Sequence, residues 1–285
     1  MPGVGVVIVT YRSAGSIATC LHSLRAASEQ HRLQVVVIDN ASDDGSSAAA
    51  RAADEDIVVV DRDANDGYAV GNNAGLALLS DDVEWVLFAN PDTTWPDRSV
   101  DALVAAAAAH PGAGLVSPVL VGSDGTAQPI VERDLTLRRV VRGMVRLGSR
   151  VRPTAPPETG PPVAVEWLHT AAALMPVELA RRLGGFDPRF FLFAEDADLC
   201  RRVRAAGLDV LVVPEVRVGH AGGASVDAST DAGGAAALRV RAVATYLDKY
   251  EGPNARRLFG TLGALVYRVA GHRAQASAAW AEARR

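Results

Sequence analysis

The sequence predicts an α/β protein: a mixed, mainly parallel sheet flanked by helices, followed by a helical C-terminal extension. Three observations carry this expectation. Through residue 121, short apolar runs rich in β-branched residues alternate with stretches of helical periodicity, the pattern of consecutive βαβ units. The 285 residues are 49% hydrophobic with two distant cysteines, Cys20 and Cys200, so a core can form without a disulfide framework or a zinc cluster. Beyond residue 121 the alternation gives way to an arginine-rich stretch and a proline-rich connector before regular structure resumes.

Residues 4–9, VGVVIV, form a continuous apolar run bounded by turn formers, which reads as a buried parallel strand. A helix follows over 16–30, with Ile17, Cys20, Leu21 and Leu24 on one face. Strands are then expected at 34–38, 57–60, 84–88 and 114–121, with helices at 46–53, 68–79 and 97–109 between them. Leu135 to Arg152 predicts a basic amphipathic helix, because Arg138, Arg142, Arg146 and Arg150 recur every fourth residue beside an apolar stripe. PTAPPETGPP, 153–162, cannot be helical. A strand near 163–167, helices over 176–183 and 194–206, a strand at 209–213, a glycine-rich loop at 219–234 and a helical tail complete the chain. The expected organisation is one catalytic domain over 1–234 and a helical extension over 235–285. Within the domain, 1–121 is the alternating α/β half, 122–162 a basic insertion with its connector, and 163–234 a second half.

Composition and charge exclude several classes. No run of about 18 apolar residues is present, and the N-terminus lacks a basic flank, so neither a membrane span nor a secretory signal is expected. The net charge of −4 is unevenly shared: residues 133–152 hold seven arginines against one acid, and residues 236–285 hold nine basic groups against three acidic ones. The remaining body is strongly acidic. Nucleic acid is not the expected partner, since residues 133–152 contain no stacking aromatics. The basic segments 135–152 and 236–285 suit either a solvated helix face or peripheral contact with an anionic membrane surface.

Ligands of open α/β sheets bind outside the carboxyl ends of the strands, so polar residues just after each strand are the ones to weigh. Thr10-Tyr11 follows the first strand, Asp39-Asn40-Ala41-Ser42 the second, Asp61 to Gly67 the third and Asn90-Pro91-Asp92 the fourth. Each alone could cap a helix; together they mark one edge. Gly67, Gly71 and Gly75 lie four apart, which implies close approach of a backbone or a ligand at a helix face. Asp92 follows a proline-stiffened turn, a natural oxygen ligand for Mg²⁺ or Mn²⁺ shared with phosphates. Phe190-Phe-Leu-Phe-Ala-Glu-Asp-Ala-Asp198 brings apolar residues against three acids in four positions. Burial and like-charge crowding there would raise a carboxylate toward general-base chemistry, although an acidic first helical turn is the simpler alternative. His220, between small residues at a strand end, could bind a metal as neutral imidazole.

The blocks VIVTYRS, VVVIDNASDDGS, NDGYAVGNNAG, FANPD, VEWLHTA, GGFDPRFFLFAEDADLCRRVRAAG and VGHAGGAS, in this order, resemble the family 2 inverting glycosyltransferases of the GT-A fold, most closely the rhamnosyltransferase-like subgroup. The likeness covers about residues 4–226, and implies nucleotide binding by the half over 1–121 and acceptor binding and catalysis by the half over 163–234. It implies that Thr10, Tyr11 and Asp39 contact the base and ribose of a donor nucleotide. Asn65, Gly67, Asn72 and Asn73 would line the nucleotide and sugar, and Asn90 and Asp92 would meet the diphosphate. It further implies that Asp92 and His220 hold a Mg²⁺ or Mn²⁺ ion, and that within Glu195-Asp196 the catalytic base is Asp196. Trp167, His169 and Asp198 fall on the acceptor side. Where relatives commonly have Trp-Leu-Ser-Gly-Ala, this chain has Trp167-Leu-His-Thr-Ala171, which adds bulk and a titratable group near the sugar.

The implied reaction moves a sugar, rhamnose from dTDP-rhamnose on subgroup likeness, to a hydroxyl of a glycan or polyprenyl-linked acceptor in cell-wall or polysaccharide synthesis. A UDP-sugar donor, or a nucleotide-sugar-binding protein without catalysis, are the alternatives. The expected location is cytoplasmic, peripheral at the inner face of the plasma membrane. The sequence sets no oligomeric state.

Overall fold

The computed structural model describes residues 3–145, 154–222 and 232–285. Its strands are β1 (Gly3–Thr10), β2 (Arg32–Asp39), β3 (Val58–Asp61), β4 (Val83–Ala89), β5 (Thr93–Thr94), β6 (Ala113–Val121), β7 (Val131–Glu132), β8 (Val163–Ala164), β9 (Trp167–Leu168), β10 (Ala172–Pro176) and β11 (Asp209–His220). The helices are α1 (Ile17–Ala26), α2 (Ser46–Ala53), α3 (Tyr68–Ala77), α4 (Ser99–Ala108), α5 (Leu137–Val145), α6 (Val177–Leu183), α7 (Glu195–Ala205), α8 (Ala232–Glu251), α9 (Pro253–Val269) and α10 (Arg273–Ala283).

Nine strands form the main sheet in the order β3-β2-β1-β4-β10-β6-β11-β5, with β8 alongside β11. β1 is buried along its whole length, as its unbroken apolar run requires. Its side chains alternate, so Val7 and Val9 enter one core with α3, α6 and α7, while Val4, Val6 and Ile8 enter a second core with α1 and α4 on the opposite face. β3, β2, β1 and β4 are mutually parallel, and β11 is parallel to β6. Helices on both faces of a mainly parallel sheet leave its carboxyl edge open for a site.

Two strand expectations are corrected and one strand was not foreseen. The segment Ala172–Pro176, for which the sequence predicts no element and whose Ala-Ala-Leu-Met favours helix by propensity, is the reversed strand β10, antiparallel to both β4 and β6. The tertiary context overrides propensity here because a buried slot between two strands demands ladder partners. The strand expected at 163–167 is broken into β8, paired with β11, and β9, paired with β7. The strand expected to end at Val213 continues to His220, with a register shift between Val213 and Arg217 that accommodates Pro214.

The helical tail packs on the body. Ala242 and Tyr246 of α8 join the core of one sheet face, while α8, α9 and α10 share a smaller core around Leu247, Phe259 and Ala279. Leu137 and Val140 of α5 pack against that smaller core, and the Leu137 N–H donates to Glu251 Oε1 at 2.8 Å. The rest of the basic segment, residues 146–153, lies outside the described residues, as do residues 223–231 of the glycine-rich loop.

Candidate active site at the carboxyl edge of the sheet

Strand register aligns the edge. Thr10 pairs with Asp39, and Asp39 with Asp61, so β1, β2 and β3 end together. The Thr10 hydroxyl donates to Asp39 Oδ1 at 2.7 Å, and the Ser42 N–H donates to Oδ2 at 2.9 Å. Two donors fix the carboxylate, and Asp39 forms part of a cavity of about 430 Å³ together with Ser42, Ser47, Arg51, Asp61 and Arg62. Tyr11 is half-buried beside it, with the Arg12 guanidinium 5.5 Å from its ring centroid.

The glycines of α3 serve two purposes. A β-carbon at Gly71 would meet Val9 Cγ1 at 2.8 Å, and one at Gly75 would collide with Val7 Cγ1, so these two let the helix lie flush on β1. Gly67, at φ +90°, would collide with the Phe191 carbonyl if it bore a side chain. That carbonyl accepts the Tyr68 N–H at 2.8 Å. Asn65 Oδ1 accepts the Gly67 N–H at 3.0 Å, and Asn40 Nδ2 donates to the Gly67 carbonyl at 3.1 Å. Asn40 Oδ1 and Asn72 Oδ1 are buried with no hydrogen-bond partner, the mark of acceptors kept for something else. Asn73 departs from expectation: its amide is committed to the Phe186 N–H and carbonyl at 2.8 and 2.7 Å, so it clasps the 184–187 loop to α3.

On the far side of β1, the Asn90 N–H donates to the Ala171 carbonyl at 2.8 Å, which fixes the turn that carries Asp92. Asp92 Oδ2 accepts the Gly222 N–H at 3.1 Å, whereas Oδ1 is buried without a hydrogen-bond partner. Facing Oδ1 at 3.4 Å is Nε2 of His220, delivered there by the extended β11. Gln128 decides the tautomer. Its Nε2 donates to the His220 carbonyl at 2.7 Å, so its Oε1 is the group 2.8 Å from Nδ1, and Nδ1 must carry the proton. The Asn90 amide 3.4 Å from Nε2 agrees with a lone pair there. Burial lowers the His220 pKa, the Asp92 charge opposes that, and nearby His169 adds to it. A carboxylate oxygen and an imidazole lone pair thus face one another with no proton between them, and such a donor pair fits a hard divalent cation. Among the described residues no cluster of three or more His, Cys, Asp or Glu forms a cage. A cation here would need further oxygens from elsewhere, as Mg²⁺ bound to phosphates does.

The Glu195–Asp196 pair begins α7, where Phe193 and Ala194 both take left-handed conformations at φ +71° and +62°. Two consecutive non-glycine residues in that region are held only by their surroundings and are common at functional sites. Glu195 is buried, with Oε2 unpartnered; burial first and the Asp196 charge second push its pKa well above the usual carboxylate range. Asp196 is half-buried, and its Oδ1 accepts the Ala197 N–H at 2.7 Å. Tyr68 lies within the field of both carboxyl groups; burial first, and then their charges, raise its phenol. Its hydroxyl donates to the Thr170 carbonyl at 3.0 Å. The segment 169–171 therefore joins the two halves of the edge, with Tyr68 and the acidic pair on one side and Asn90, Asp92 and His220 on the other.

The acceptor-side residues fare unequally. His169 is half-buried, with its ring 6.0 Å from that of Trp167. Trp167 is buried in the core and its indole N–H has no partner. Asp198 lies elsewhere than expected: its side chain is fully buried, accepting from Arg202 Nε and Tyr250 Oη at 2.7 Å each and from Lys249 Nζ. It anchors α8 to α7. Sequence reasoning missed Gln128 and Tyr68 as parts of the site, and named Asn40 only as one of the polar residues after the second strand; Gln128 lies in the segment taken for an insertion, with no motif around it.

Comparison with known proteins accords with this geometry. The sequence profile of Glycosyl transferase family 2 matches residues 5–152. The chain is 30% identical to the N-acetylglucosaminyl-diphospho-decaprenol L-rhamnosyltransferase of Mycobacterium tuberculosis, over 75% of each chain. It is 23% identical to the low-salt glycan biosynthesis hexosyltransferase Agl10 of Haloferax volcanii, over 72% of this chain and 62% of that one. Among solved structures it superposes on the mannosyltransferase PcManGT of Pyrobaculum calidifontis in complex with GDP-Man and Mn²⁺, with a TM-score of 0.60 at 22% identity over 99% of this chain and 74% of that one. S. aureus TarS 1-349 in complex with UDP gives 0.55 at 15% identity, over 99% and 88%. At these identities the structural likeness is one of fold. The family match and the mycobacterial relative carry the assignment further: the chain belongs to glycosyl transferase family 2, and is a glycosyltransferase of the GT-A fold.

Proposed function

We propose that the protein transfers a sugar, with inversion, from a nucleotide diphosphate to a hydroxyl of a polyprenyl-diphosphate-linked glycan, and that the donor is dTDP-rhamnose. The observation that carries the reading is the unpartnered, buried Oδ1 of Asp92 facing the Nε2 lone pair of His220. The mycobacterial relative, a rhamnosyltransferase named for a diphospho-decaprenol acceptor, supports the sugar and the acceptor class.

The donor base and ribose lie in the cavity beside Asp39, and the diphosphate lies toward Asp92. Asp92 and His220 would hold a Mg²⁺ or Mn²⁺ ion, which when bound stabilises the charge that builds on the departing diphosphate. Across the site, Asp196 takes the proton of the attacking hydroxyl, a role worth roughly 10²- to 10⁴-fold. Burial first and the Asp196 charge second hold the Glu195 pKa well above the usual carboxylate range, and Asp196 is the more accessible of the two. The buried Asn40 and Asn72 oxygens accept donor groups near Gly67. The enzyme works at the cytoplasmic face of a membrane, which the basic, partly apolar surface of the helical tail contacts; among the described residues no helix is long and apolar enough to cross one.

Asp196→Asn tests the assignment. Transfer of rhamnose to a prenyl-diphosphate-linked N-acetylglucosamine should fall by at least about a hundredfold, while donor binding in calorimetry stays within a few-fold. Lost donor binding would give Asp196 a structural role. Turnover with UDP-sugars but none with dTDP-rhamnose would overturn the donor.

A further inference from the structure

A cavity of about 390 Å³ opens between the turn at Arg189–Leu192 and the helices α8 and α10. None of the donor-side residues lines it. Its walls combine two chemistries. Phe191, 41% exposed, Leu192 and Leu238 are apolar, while Arg189, Arg241 and Arg285 are cationic.

The local acids are already matched. Asp187 accepts from Lys249 Nζ and Arg189 Nη2 at 2.7 Å each, and although burial opposes it, those bonds hold its carboxyl far below the usual range. Glu282, the acid in the wall, is buried and pairs with Arg256 at 3.0 Å. Arg285 reaches Glu282 only at 3.5 Å with its side chain two-thirds exposed, and Arg241 has no ion pair among the described residues. The cavity therefore offers the Arg241 guanidinium, without an ion pair among the described residues, and the two-thirds exposed Arg285, next to exposed aromatic and aliphatic surface. A neutral sugar would be matched by carboxylates and amides. Guanidinium forks match phosphate oxygens, and the apolar wall matches hydrocarbon.

Position adds the second argument. The Phe191 carbonyl is bonded to the first residue of α3, and the Glu195–Asp196 pair begins four residues later. A ligand held in the cavity abuts the turn that carries the proposed base. We propose that this cavity binds the diphosphate and the first isoprene units of the acceptor, with Arg241 and Arg285 on the phosphates and Phe191 and Leu238 on the chain. This rests on the lipid-linked acceptor proposed above.

The test titrates the full chain with farnesyl diphosphate in calorimetry, with EDTA present to remove any cation a donor diphosphate requires. The protein should bind it, and should bind farnesol and inorganic pyrophosphate at least tenfold more weakly. Arg241→Glu, at an exposed position, and Arg285→Ala should each weaken farnesyl diphosphate at least tenfold, with unchanged melting curves. In transfer assays Arg241→Glu should raise KM for the lipid-linked acceptor and leave KM for the donor unchanged. Equal affinity of Arg241→Glu and the unaltered protein, or farnesol or pyrophosphate binding as tightly as farnesyl diphosphate, overturns the proposal. Absence of nucleotide-sugar binding with Mn²⁺ would instead overturn the proposed reaction, and the farnesyl diphosphate titration would still decide the cavity.

Discussion

Two carboxyl groups adjacent in sequence begin α7, and burial of Glu195 beside the Asp196 charge disfavours its ionised form. Glu195 has a raised pKa, so its protonated form is the one the fold favours. Its stabilising effect is complete below the ordinary glutamate value of about 4.3 and is lost as pH rises through the raised folded value, at most about 1.4 kcal/mol per pH unit. Glu195→Gln should flatten this dependence: the drop in Tm between pH 5 and pH 8 should shrink in the variant, and an identical drop would place the ionisation elsewhere. His220 presents the converse case, a base kept neutral by burial and oriented by one amide. Gln128→Leu should weaken Mn²⁺ in donor-binding titrations by about 10- to 100-fold, the usual cost of removing a partner that orients a metal-binding histidine. Affinity within twofold would show that β11 alone aims the ring. Asp92 and His220 could be singled out in the sequence because each follows a strand end, although a capping aspartate and a structural histidine were equally open there, and the structure sets them facing one another at 3.4 Å. Gln128 could not be, since a glutamine's role comes wholly from which strand end folds back beside it.

At the scale of elements, the match between α3 and β1 is set by hydrogen atoms standing where side chains would be. Gly75→Val would drive a branched side chain into Val7 and should destabilise the protein by about 1–3 kcal/mol, read as a lower urea midpoint at unchanged m. A loss under 0.5 kcal/mol would mean that α3 can lift off the sheet freely. Strands with β-branched runs and helices with regular apolar spacing were readable because local preference and tertiary demand agree. β10 was not, because its Ala-Ala-Leu-Met is shaped by the slot between β4 and β6 rather than by its own preference. Asp198 misled for a related reason: two residues after Asp196, helical rotation turns it inward to Lys249, the chain's single lysine.

Over the whole molecule, charge and apolar exposure are segregated. The acidic body carries the proposed site, whereas α5, the described part of the first basic segment, packs with the basic tail. On α9, Leu258, Leu265 and Val269 are exposed along one face, flanked by Arg257 and Arg268, and Trp280 of α10 is exposed as well. Apolar residues bordered by arginine and tryptophan suit an interfacial layer. Leu265→Glu should reduce co-sedimentation with phosphatidylglycerol vesicles at least threefold and leave donor binding unchanged. Equal sedimentation of both forms would remove α9 from the contact.

The reversed strand has a consequence for synthesis. When the ribosome has made the first 121 residues, β4 and β6 exist but cannot bond to one another, because the slot between them awaits a segment some 50 residues further on. At roughly 5–20 residues per second, the nascent chain exposes two unsatisfied strand edges for several seconds, a window in which trigger-type chaperones or aggregation compete for it.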